Sequence, residues 1–295
     1  MYNFKNLYEP TSVEEALYLK KEHPQALLLA GGSDILIKIR EGKLAGCDLI
    51  NIYGLEELRG ICLEEDGSIL IRPLTSFTDV SMHPVIKQHI PVLGEAVNQI
   101  GGPQVRNIGT IGGNICNGVT SADSATTLKA YDATLEITSR DGIRVLPYGE
   151  FNLGPGKVDL REGEILTGIR IAKESYEQVY GHYIKYAMRK AMDIATLGCS
   201  ANVILSEDKK SIKQLRIAFG VAAPIPIRSI HAEENAKGHA LNQALLERVA
   251  EGALADVNPR TSWRAGREFR LQLVQELARR ATKQAVEKAG GTING

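Results

Sequence analysis

The sequence predicts an α+β protein, and three regions with different patterns carry that prediction. Residues 1–57 have the pattern of a β-α-β unit, and residues 58–175 combine short helices with a hairpin of strands. Residues 176–295 predict an antiparallel sheet followed by two amphipathic helices. A chain of 295 residues is long enough for such regions to bury cores of their own.

In the first region, Thr11 or Ser12 stands before Glu14 and Glu15 at capping-box spacing. This predicts a helix that ends before His23-Pro24. A buried strand over 26–30, a glycine turn, a helix over 34–40 and a strand over 48–53 follow. The second helix begins at the turn, where its N-terminus favours an anion.

The second region begins with a strand over 69–72 and a helix that Ser76 and Asp79 cap. The helix that starts at Pro91 is expected to stop at Gly101-Gly102-Pro103. Residues 104–123 are rich in Gly, Asn, Thr and Ser, so we expect an extended segment that wraps a ligand. The turn Asp141-Gly142 joins two hairpin strands, and residues 164–171 add another strand.

In the third region, strands are expected over 183–188, 196–205 and 211–221, and helices over 242–255 and 264–288. Apolar residues recur in the last helix at helical spacing, which predicts a face in the core or in a subunit interface. That face consists of Phe269, Leu273, Leu277 and Ala281.

Composition excludes several classes of protein. Lysine plus arginine equal aspartate plus glutamate, 35 against 35, so no nucleic acid or anionic membrane is expected as partner. No apolar stretch approaches the roughly 20 residues of a membrane span and no signal peptide is evident, so we expect a cytoplasmic protein. The four cysteines, with no C-x-x-C pair, predict packing thiols and no metal or iron–sulfur site. They are Cys47, Cys62, Cys116 and Cys199.

Two glycine-rich turns are the strongest indication of function. The first is Ala30-Gly31-Gly32-Ser33-Asp34, and the second runs from Asn107 to Asn114 with Gly109, Gly112 and Gly113. Small residues let backbone N–H groups close on an anion such as a pyrophosphate. The alternative is two tight turns that need positive φ. The dinucleotide fingerprint G-x-G-x-x-G is absent, and Val158 after Gly154-Pro155-Gly156-Lys157 excludes a Walker loop.

Four stretches resemble the FAD-binding subunits of molybdenum hydroxylases, and most of all the medium subunits of bacterial xanthine dehydrogenases. They are residues 27–36, 102–115, 117–125 and 183–195. The resemblance covers essentially the whole chain. It implies a two-lobed FAD-binding domain of the vanillyl-alcohol-oxidase/CO-dehydrogenase-flavoprotein type, plus a C-terminal antiparallel sheet with helices.

The resemblance also implies a set of residues that contact FAD. N–H groups of residues 30–34 and 110–113 would hold the pyrophosphate, with the hydroxyls of Ser33 and Thr110 as further donors. Asn114 would support its loop, and Asn117 and Asp123 would contact the ribityl or adenosine part. For Asp123 the alternative is a turn or helix cap. The full set is Leu29, Ala30, Gly31, Gly32, Ser33, Asp34, Ile35, Ile100, Thr110, Ile111, Gly112, Gly113, Asn114, Asn117, Asp123, Leu166, Tyr183 and Lys185.

Two of the implied residues are catalytic. Lys185 matches a lysine near the isoalloxazine, and Arg189 lies at the same edge, on the nicotinamide side. Tyr183 matches an aromatic residue that shields one ring face, with Tyr186 as the alternative. Ile100 stands where some members of the family have a stacking aromatic.

The implied activity is an electron relay with non-covalent FAD. Partner subunits would carry molybdopterin and 2Fe-2S clusters, the acceptor would be NAD⁺, and the assembly a dimer of heterotrimers. Alternatives are a stand-alone FAD oxidoreductase of the vanillyl-alcohol-oxidase type, a hydroxylase subunit for another heterocycle, an aldehyde or CO, and a non-catalytic nucleotide-binding protein.

Overall fold

The first region forms a small parallel sheet. The computed structural model describes residues 2–294. Strand β3 lies between β1 and β2, and both neighbours run parallel to it. The predicted N-terminal cap is present: Ser12 Oγ accepts the N–H of Glu15 at 3.1 Å, and the Glu15 carboxylate reaches back to accept the N–H of Thr11, one residue before the cap, at 2.7 Å. The elements are β1 (Phe4–Tyr8), α1 (Val13–Glu22), β2 (Leu27–Leu29), α2 (Ile35–Arg40) and β3 (Cys47–Asn51).

The second region has a five-stranded antiparallel sheet in the order β4-β5-β10-β6-β7, with a separate two-stranded sheet β8-β9 and seven helices among the described residues. Its strands are β4 (Ile61–Leu63), β5 (Ile69–Ile71), β6 (Thr134–Ser139), β7 (Gly142–Pro147), β8 (Asn152–Gly154), β9 (Lys157–Val158) and β10 (Ile165–Ile171). Its helices are α3 (Phe77–Met82), α4 (Pro84–His89), α5 (Pro91–Val97), α6 (Pro103–Ile108), α7 (Ile111–Cys116), α8 (Asp123–Ala130) and α9 (Tyr148–Phe151).

The structure corrects one expectation in this region. Residues 104–123 are not extended, because they contain α6 and α7 and the start of α8. Pro103 occupies the first turn of α6, and Thr110 caps α7 by accepting the N–H of Gly113 at 3.1 Å. Pro103 and Thr110 thus mark the N-termini of two helices in a segment whose glycine content predicts an extended chain. The Ser76 cap of α3 and the hairpin β6–β7 are confirmed.

The third region is an antiparallel sheet covered by helices, and its predicted strands are confirmed with one more at the edge. Leu273, Leu277 and Ala281 of the predicted apolar face lie in the core, whereas Phe269 is exposed. The elements are β11 (Tyr180–Tyr186), β12 (Leu197–Leu205), β13 (Ile212–Gly220), β14 (Ile227–Arg228), α10 (Ile230–Ala236), α11 (Gln243–Asp256) and α12 (Arg267–Lys288).

Each region has an apolar core. One cluster packs under the parallel sheet, one between the five-stranded sheet and its helices, and one between the four-stranded sheet and α10 to α12. Tyr183 of β11 belongs to the second cluster, so the third region is packed against the second. Of the cysteines, Cys62 is exposed, contrary to the expectation of packing thiols. Over residues 2–294, no helix is both long and apolar enough to cross a membrane.

Candidate functional site

The two glycine-rich turns are in direct contact. A Cβ on Gly31 would lie 1.8 Å from the carbonyl oxygen of Ile108 and 3.3 Å from Cα of Gly109. A Cβ on Gly113 would meet that of Ala30 at 3.9 Å. Gly31 is therefore required for the two turns to approach each other, and residues far apart in the sequence form one wall.

The first turn has unused hydrogen-bond donors. Within residues 2–294, the backbone N–H groups of Gly31, Gly32, Ser33 and Asp34 donate to no backbone or side-chain acceptor. Gly32 has a φ of +71°, the left-handed conformation that glycine adopts without strain. Successive N–H groups without partners form a concavity that binds anions. This arrangement fits the pyrophosphate that the sequence predicts at this turn.

The second turn differs, because three of its four predicted donors, all but the N–H of Thr110, already have acceptors. The N–H of Ile111 donates to the Thr75 carbonyl at 3.0 Å, and that of Gly112 to the Pro73 carbonyl at 2.8 Å. The N–H of Gly113 donates to the Thr110 hydroxyl oxygen. This corrects the expectation that the N–H groups of Ile111, Gly112 and Gly113 face outward toward a phosphate.

Both turns line a cavity of about 720 Å³. It lies between the parallel sheet, α3, α7 and the start of β10, and its size suits a drug-sized or larger ligand. Most of the predicted contact residues line it: Ala30, Gly31, Gly32, Ser33, Asp34, Ile35, Ile100, Thr110, Gly112, Gly113, Asn114, Asn117 and Leu166. Leu29, Ile111, Asp123, Tyr183 and Lys185 are not in this lining.

Polar side chains at the cavity hold one another in place. Asn114 Oδ1 accepts the hydroxyl of Ser124 at 2.6 Å, and Asn117 Oδ1 accepts Lys38 Nζ at 3.2 Å. Lys38 also forms an ion pair with Asp34 at 2.5 Å. The sequence analysis missed Lys38, although it lies one helical turn after Asp34 and so faces the same side of α2.

Cys116 lines the same cavity, and it is the cysteine nearest the predicted pyrophosphate site. Burial raises the pKa of its thiol to about 12. The thiolate is the reactive form of cysteine. This thiol is therefore unsuited to a covalent bond with a ligand at neutral pH.

Asp123, Tyr183 and Lys185 form a buried hydrogen-bonded group. The Tyr183 hydroxyl donates to Asp123 Oδ1 at 2.5 Å, and Lys185 Nζ lies 2.9 Å from Asp123 Oδ2. Lys185 also donates to the carbonyl of Gln99 at 2.9 Å. Burial raises the pKa of Asp123, and the ammonium of Lys185 opposes that shift by stabilising the carboxylate. Burial and the adjacent carboxyl raise the pKa of Tyr183 well above its usual value.

Lys185 and Arg189 meet at a second cavity of about 250 Å³. The loop after β11 forms most of its wall, and Gln99 completes it next to Ile100 of the large cavity. Arg189 is exposed and lies 3.5 Å from Asp193, whereas Lys185 is nearly buried. The structure thus brings the two predicted catalytic residues together at one opening.

Neither of the two tyrosines proposed to shield a ring face lines either cavity. Tyr183 is buried with its hydroxyl on Asp123, and it lines neither cavity. Tyr186 packs edge-on against Phe269 with ring centroids 5.9 Å apart, on the outer side of α12. The aromatic residue in the large cavity is Phe77, which the sequence analysis did not select.

Comparison with known proteins gives the class that this fold and site define. Residues 2–173 match the FAD binding domain in molybdopterin dehydrogenase, and residues 182–285 match the CO dehydrogenase flavoprotein C-terminal domain. The chain therefore belongs to the FAD-binding medium subunits of the molybdenum hydroxylase family, which are oxidoreductase subunits of multi-subunit dehydrogenases.

Within this family, the xanthine dehydrogenase FAD-binding subunit of Escherichia coli is 46% identical over 293 residues, which cover 99% of this chain and 100% of that protein. The carbon monoxide dehydrogenase medium chain of Hydrogenophaga pseudoflava is 30% identical over 94% of this chain and 96% of its own. A solved structure of carbon monoxide dehydrogenase from that organism matches with a TM-score of 0.92 at 28% identity, covering 98% of this chain and 99% of that one. The fold predicted from the sequence is thereby confirmed.

Proposed function

We propose that this chain is the FAD-binding subunit of a xanthine or related purine dehydrogenase, and that it passes electrons from 2Fe-2S clusters of a partner subunit to NAD⁺. The observation that carries the proposal is the 46% identity to the xanthine dehydrogenase subunit over the whole chain. The relatives named for carbon monoxide and nicotinate are about a third less similar, at 30% and 31%. Within the family, the purine enzyme is thus favoured over the other substrates.

In this proposal the large cavity holds FAD without a covalent bond. The free N–H groups of Gly31 to Asp34 would donate hydrogen bonds to the pyrophosphate, and Ile100 and Leu166 would supply apolar contacts. The flavin, when bound, exchanges electrons one at a time with iron–sulfur clusters and as a hydride with a nicotinamide. The chain's own contribution is to bind and orient it.

Lys185 and Arg189 would act at the smaller cavity, on the nicotinamide side. Asp123 compensates the charge of Lys185, and Asp193 lies 3.5 Å from Arg189, so the remaining positive charge at that opening comes from the exposed Arg189 guanidinium, in part, and from the neighbouring Lys190. Replacing Lys185 would leave the buried carboxylate of Asp123 without its counter-ion and with only the Tyr183 hydroxyl as partner, at a typical cost of about 3–5 kcal/mol in stability. Arg189 is the better residue to test, since it is exposed.

The test is turnover of the complete complex with two acceptors. Arg189→Gln should reduce NAD⁺ reduction about tenfold, because a cation next to the nicotinamide site is lost. Turnover with a dye that takes electrons upstream of the flavin should stay unchanged. The matched control is Arg280→Gln, an equally exposed arginine on α12. Equal loss with both acceptors, or no loss with either, would contradict the role of Arg189.

Substrate identity is tested on the same complex. Xanthine should reduce the flavin of the complex, whereas nicotinate, an aldehyde and CO should not. Reduction by one of those alternatives but not by a purine would overturn the purine assignment. We further propose a dimer of heterotrimers with a molybdopterin subunit and an iron–sulfur subunit, in the cytoplasm, with domains at 1–57, 58–175 and 176–295.

A further inference from the structure

The first glycine-rich turn carries a carboxylate as well as free N–H groups. Asp34 is the last residue of this turn and lines the large cavity. It stands at the cap position of α2, yet within residues 2–294 its side chain accepts no capping N–H. Each phosphate group of a pyrophosphate is negatively charged at neutral pH, so a bare carboxylate beside the turn would repel it. A pyrophosphate site at this turn therefore needs a cation next to Asp34.

Lys38 supplies that cation and is held from two sides. Its Nζ lies 2.5 Å from Asp34 Oδ2 and donates to Asn117 Oδ1 at 3.2 Å. Asp34 precedes Lys38 by one helical turn in the first region, whereas Asn117 follows α7 in the second region. All three residues line the large cavity. An ammonium group can donate one hydrogen bond more than these two, so Lys38 has a donor left for a ligand.

The other cations of the cavity lie away from the first turn. Lys20 donates to the carbonyl of Ala26 at 2.7 Å, before β2 begins, whereas the first turn follows the end of β2. Arg161 belongs to the loop before β10. The charges of the lining are balanced, with Lys20, Lys38 and Arg161 against Asp34, Glu162 and Glu164. Since the lining as a whole is neutral, attraction of a pyrophosphate to the first turn depends on Lys38.

The ion pair of Lys38 with Asp34 contributes little to folding. The two side chains are 43% and 51% exposed, and ion pairs this accessible to water add little to stability. The same exposure keeps the ammonium within reach of a molecule that enters the cavity. The position of Lys38 beside free N–H groups therefore indicates a role in binding a ligand.

We propose that Lys38 is a ligand of the FAD pyrophosphate, positioned by Asp34 and Asn117 beside the free N–H groups of the first turn. This inference rests on the proposed function, in which the large cavity holds FAD. Lys38 Nζ donates a charge-assisted hydrogen bond to a phosphate oxygen, and the N–H groups of residues 31–34 donate to the same pyrophosphate. The ammonium lies between the Asp34 carboxylate and the phosphate, and its charge stabilises both.

The test is the affinity of the flavin-free full chain for FAD, measured by quenching of flavin fluorescence. Lys38→Met should raise the dissociation constant about tenfold, because a charge-assisted hydrogen bond from a half-exposed group is lost. Lys38→Arg should restore most of the affinity, since a guanidinium keeps the charge and the donors. Raising NaCl should weaken FAD binding by the wild type more than by Lys38→Met. Urea unfolding of flavin-free Lys38→Met should match that of the wild type.

A double variant separates a phosphate ligand from a residue that only neutralises Asp34. In Asp34→Asn with Lys38→Met, the repulsive carboxylate and the ammonium are both removed. We expect a dissociation constant for FAD between those of Lys38→Met and the wild type, since the repulsion is gone and the bond to phosphate is still missing. Wild-type affinity in the double variant would show that Lys38 acts only on Asp34 and would overturn the proposal.

Lys43→Met is the matched control. Lys43 forms an exposed ion pair with Glu41 at 2.7 Å and lies outside the lining of the cavity, so this variant should bind FAD like the wild type. Equal losses in Lys43→Met and Lys38→Met would reveal an effect of net charge and overturn the proposal. Wild-type affinity of Lys38→Met would overturn the role of Lys38 and leave the proposed function intact. Failure of the wild type to bind FAD would overturn both.

Discussion

The two glycine-rich turns have similar sequences and touch each other, yet they treat their backbone donors in opposite ways. Among residues 2–294, the N–H groups of Gly31 to Asp34 in the first turn have no acceptors and lie at the wall of a large cavity. In the second turn, the N–H groups of Ile111 and Gly112 donate to the carbonyls of Thr75 and Pro73, and the N–H of Gly113 donates to the Thr110 hydroxyl. Glycine content therefore does not identify a phosphate site. A phosphate site is identified by N–H groups that line a cavity and have no acceptor within the protein.

The glycines themselves have different reasons to be glycine. Gly31 and Gly112 are sites of close approach, to Ile108 and to Pro73 respectively. Gly32 has a positive φ, and an added Cβ would meet flexible side-chain atoms, Cδ1 of Leu36 at 2.8 Å and Cδ1 of Leu29 at 3.3 Å. Substitutions at these positions should thus separate an effect on folding from an effect on the cofactor.

The largest effect on folding is expected for Gly112→Ala. Its Cβ would lie 2.4 Å from Cβ of Pro73 and 2.7 Å from the Pro73 carbonyl oxygen. These are ring and backbone atoms, so no side-chain rotation can relieve the clash. We expect a loss of about 2–3 kcal/mol in the free energy of unfolding of the flavin-free protein. Urea denaturation checks it. Gly149→Ala, with nothing within 4 Å of the added Cβ, is the control and should be neutral.

Gly32→Ala should act on FAD affinity. The variant can relieve its strained φ by turning the N–H groups away from the cavity, and FAD binding must then restore the left-handed conformation, at about 1–2 kcal/mol. The dissociation constant of FAD should rise about tenfold, measured by quenching of flavin fluorescence. Gly42→Ala has the same kind of φ, +79°, but lies outside the cavity, so its FAD affinity should equal that of the wild type.

A smaller effect is expected for Thr110→Val. The variant removes the cap of α7, which is worth about 1 kcal/mol in the free energy of unfolding. Because the lost bond lies within the protein, flavin-free and FAD-bound protein should lose the same amount. Thermal unfolding of both forms measures it, and Thr110→Ser should restore the wild-type value. A loss confined to the FAD-bound form would show that the hydroxyl serves the ligand instead.

Local signals were sufficient for much of the fold. The Ser12 and Ser76 caps and the Asp141-Gly142 turn act within a few residues, and the elements they predict are present. Strand β1 was missed because Phe4 and Leu7 are exposed and its partner β3 lies some forty residues later. Helices α6 and α7 were missed because each is six residues long; α7 contains two glycines, and α6 lies between glycines at both ends.

The site shows the same division. The residues that line the large cavity were mostly predicted, since they flank the two turns in sequence. The acceptors that occupy the second turn, Pro73 and Thr75, lie some forty residues upstream and carry no local signal. The burial of Tyr183 against Asp123 likewise depends on the packing of β11 on the second region, which spacing along the chain cannot reveal.

Amide hydrogen exchange, resolved by residue and measured with and without FAD, tests the central claim most directly. Free N–H groups exchange fast, whereas those in hydrogen bonds are protected. If the first turn binds the pyrophosphate of FAD, the amides of Gly31, Gly32, Ser33 and Asp34 should exchange fast in the flavin-free protein and become protected by the cofactor. Those of Ile111, Gly112 and Gly113 should be protected in both states. FAD binding that leaves the amides of residues 31–34 exchanging fast would contradict the account.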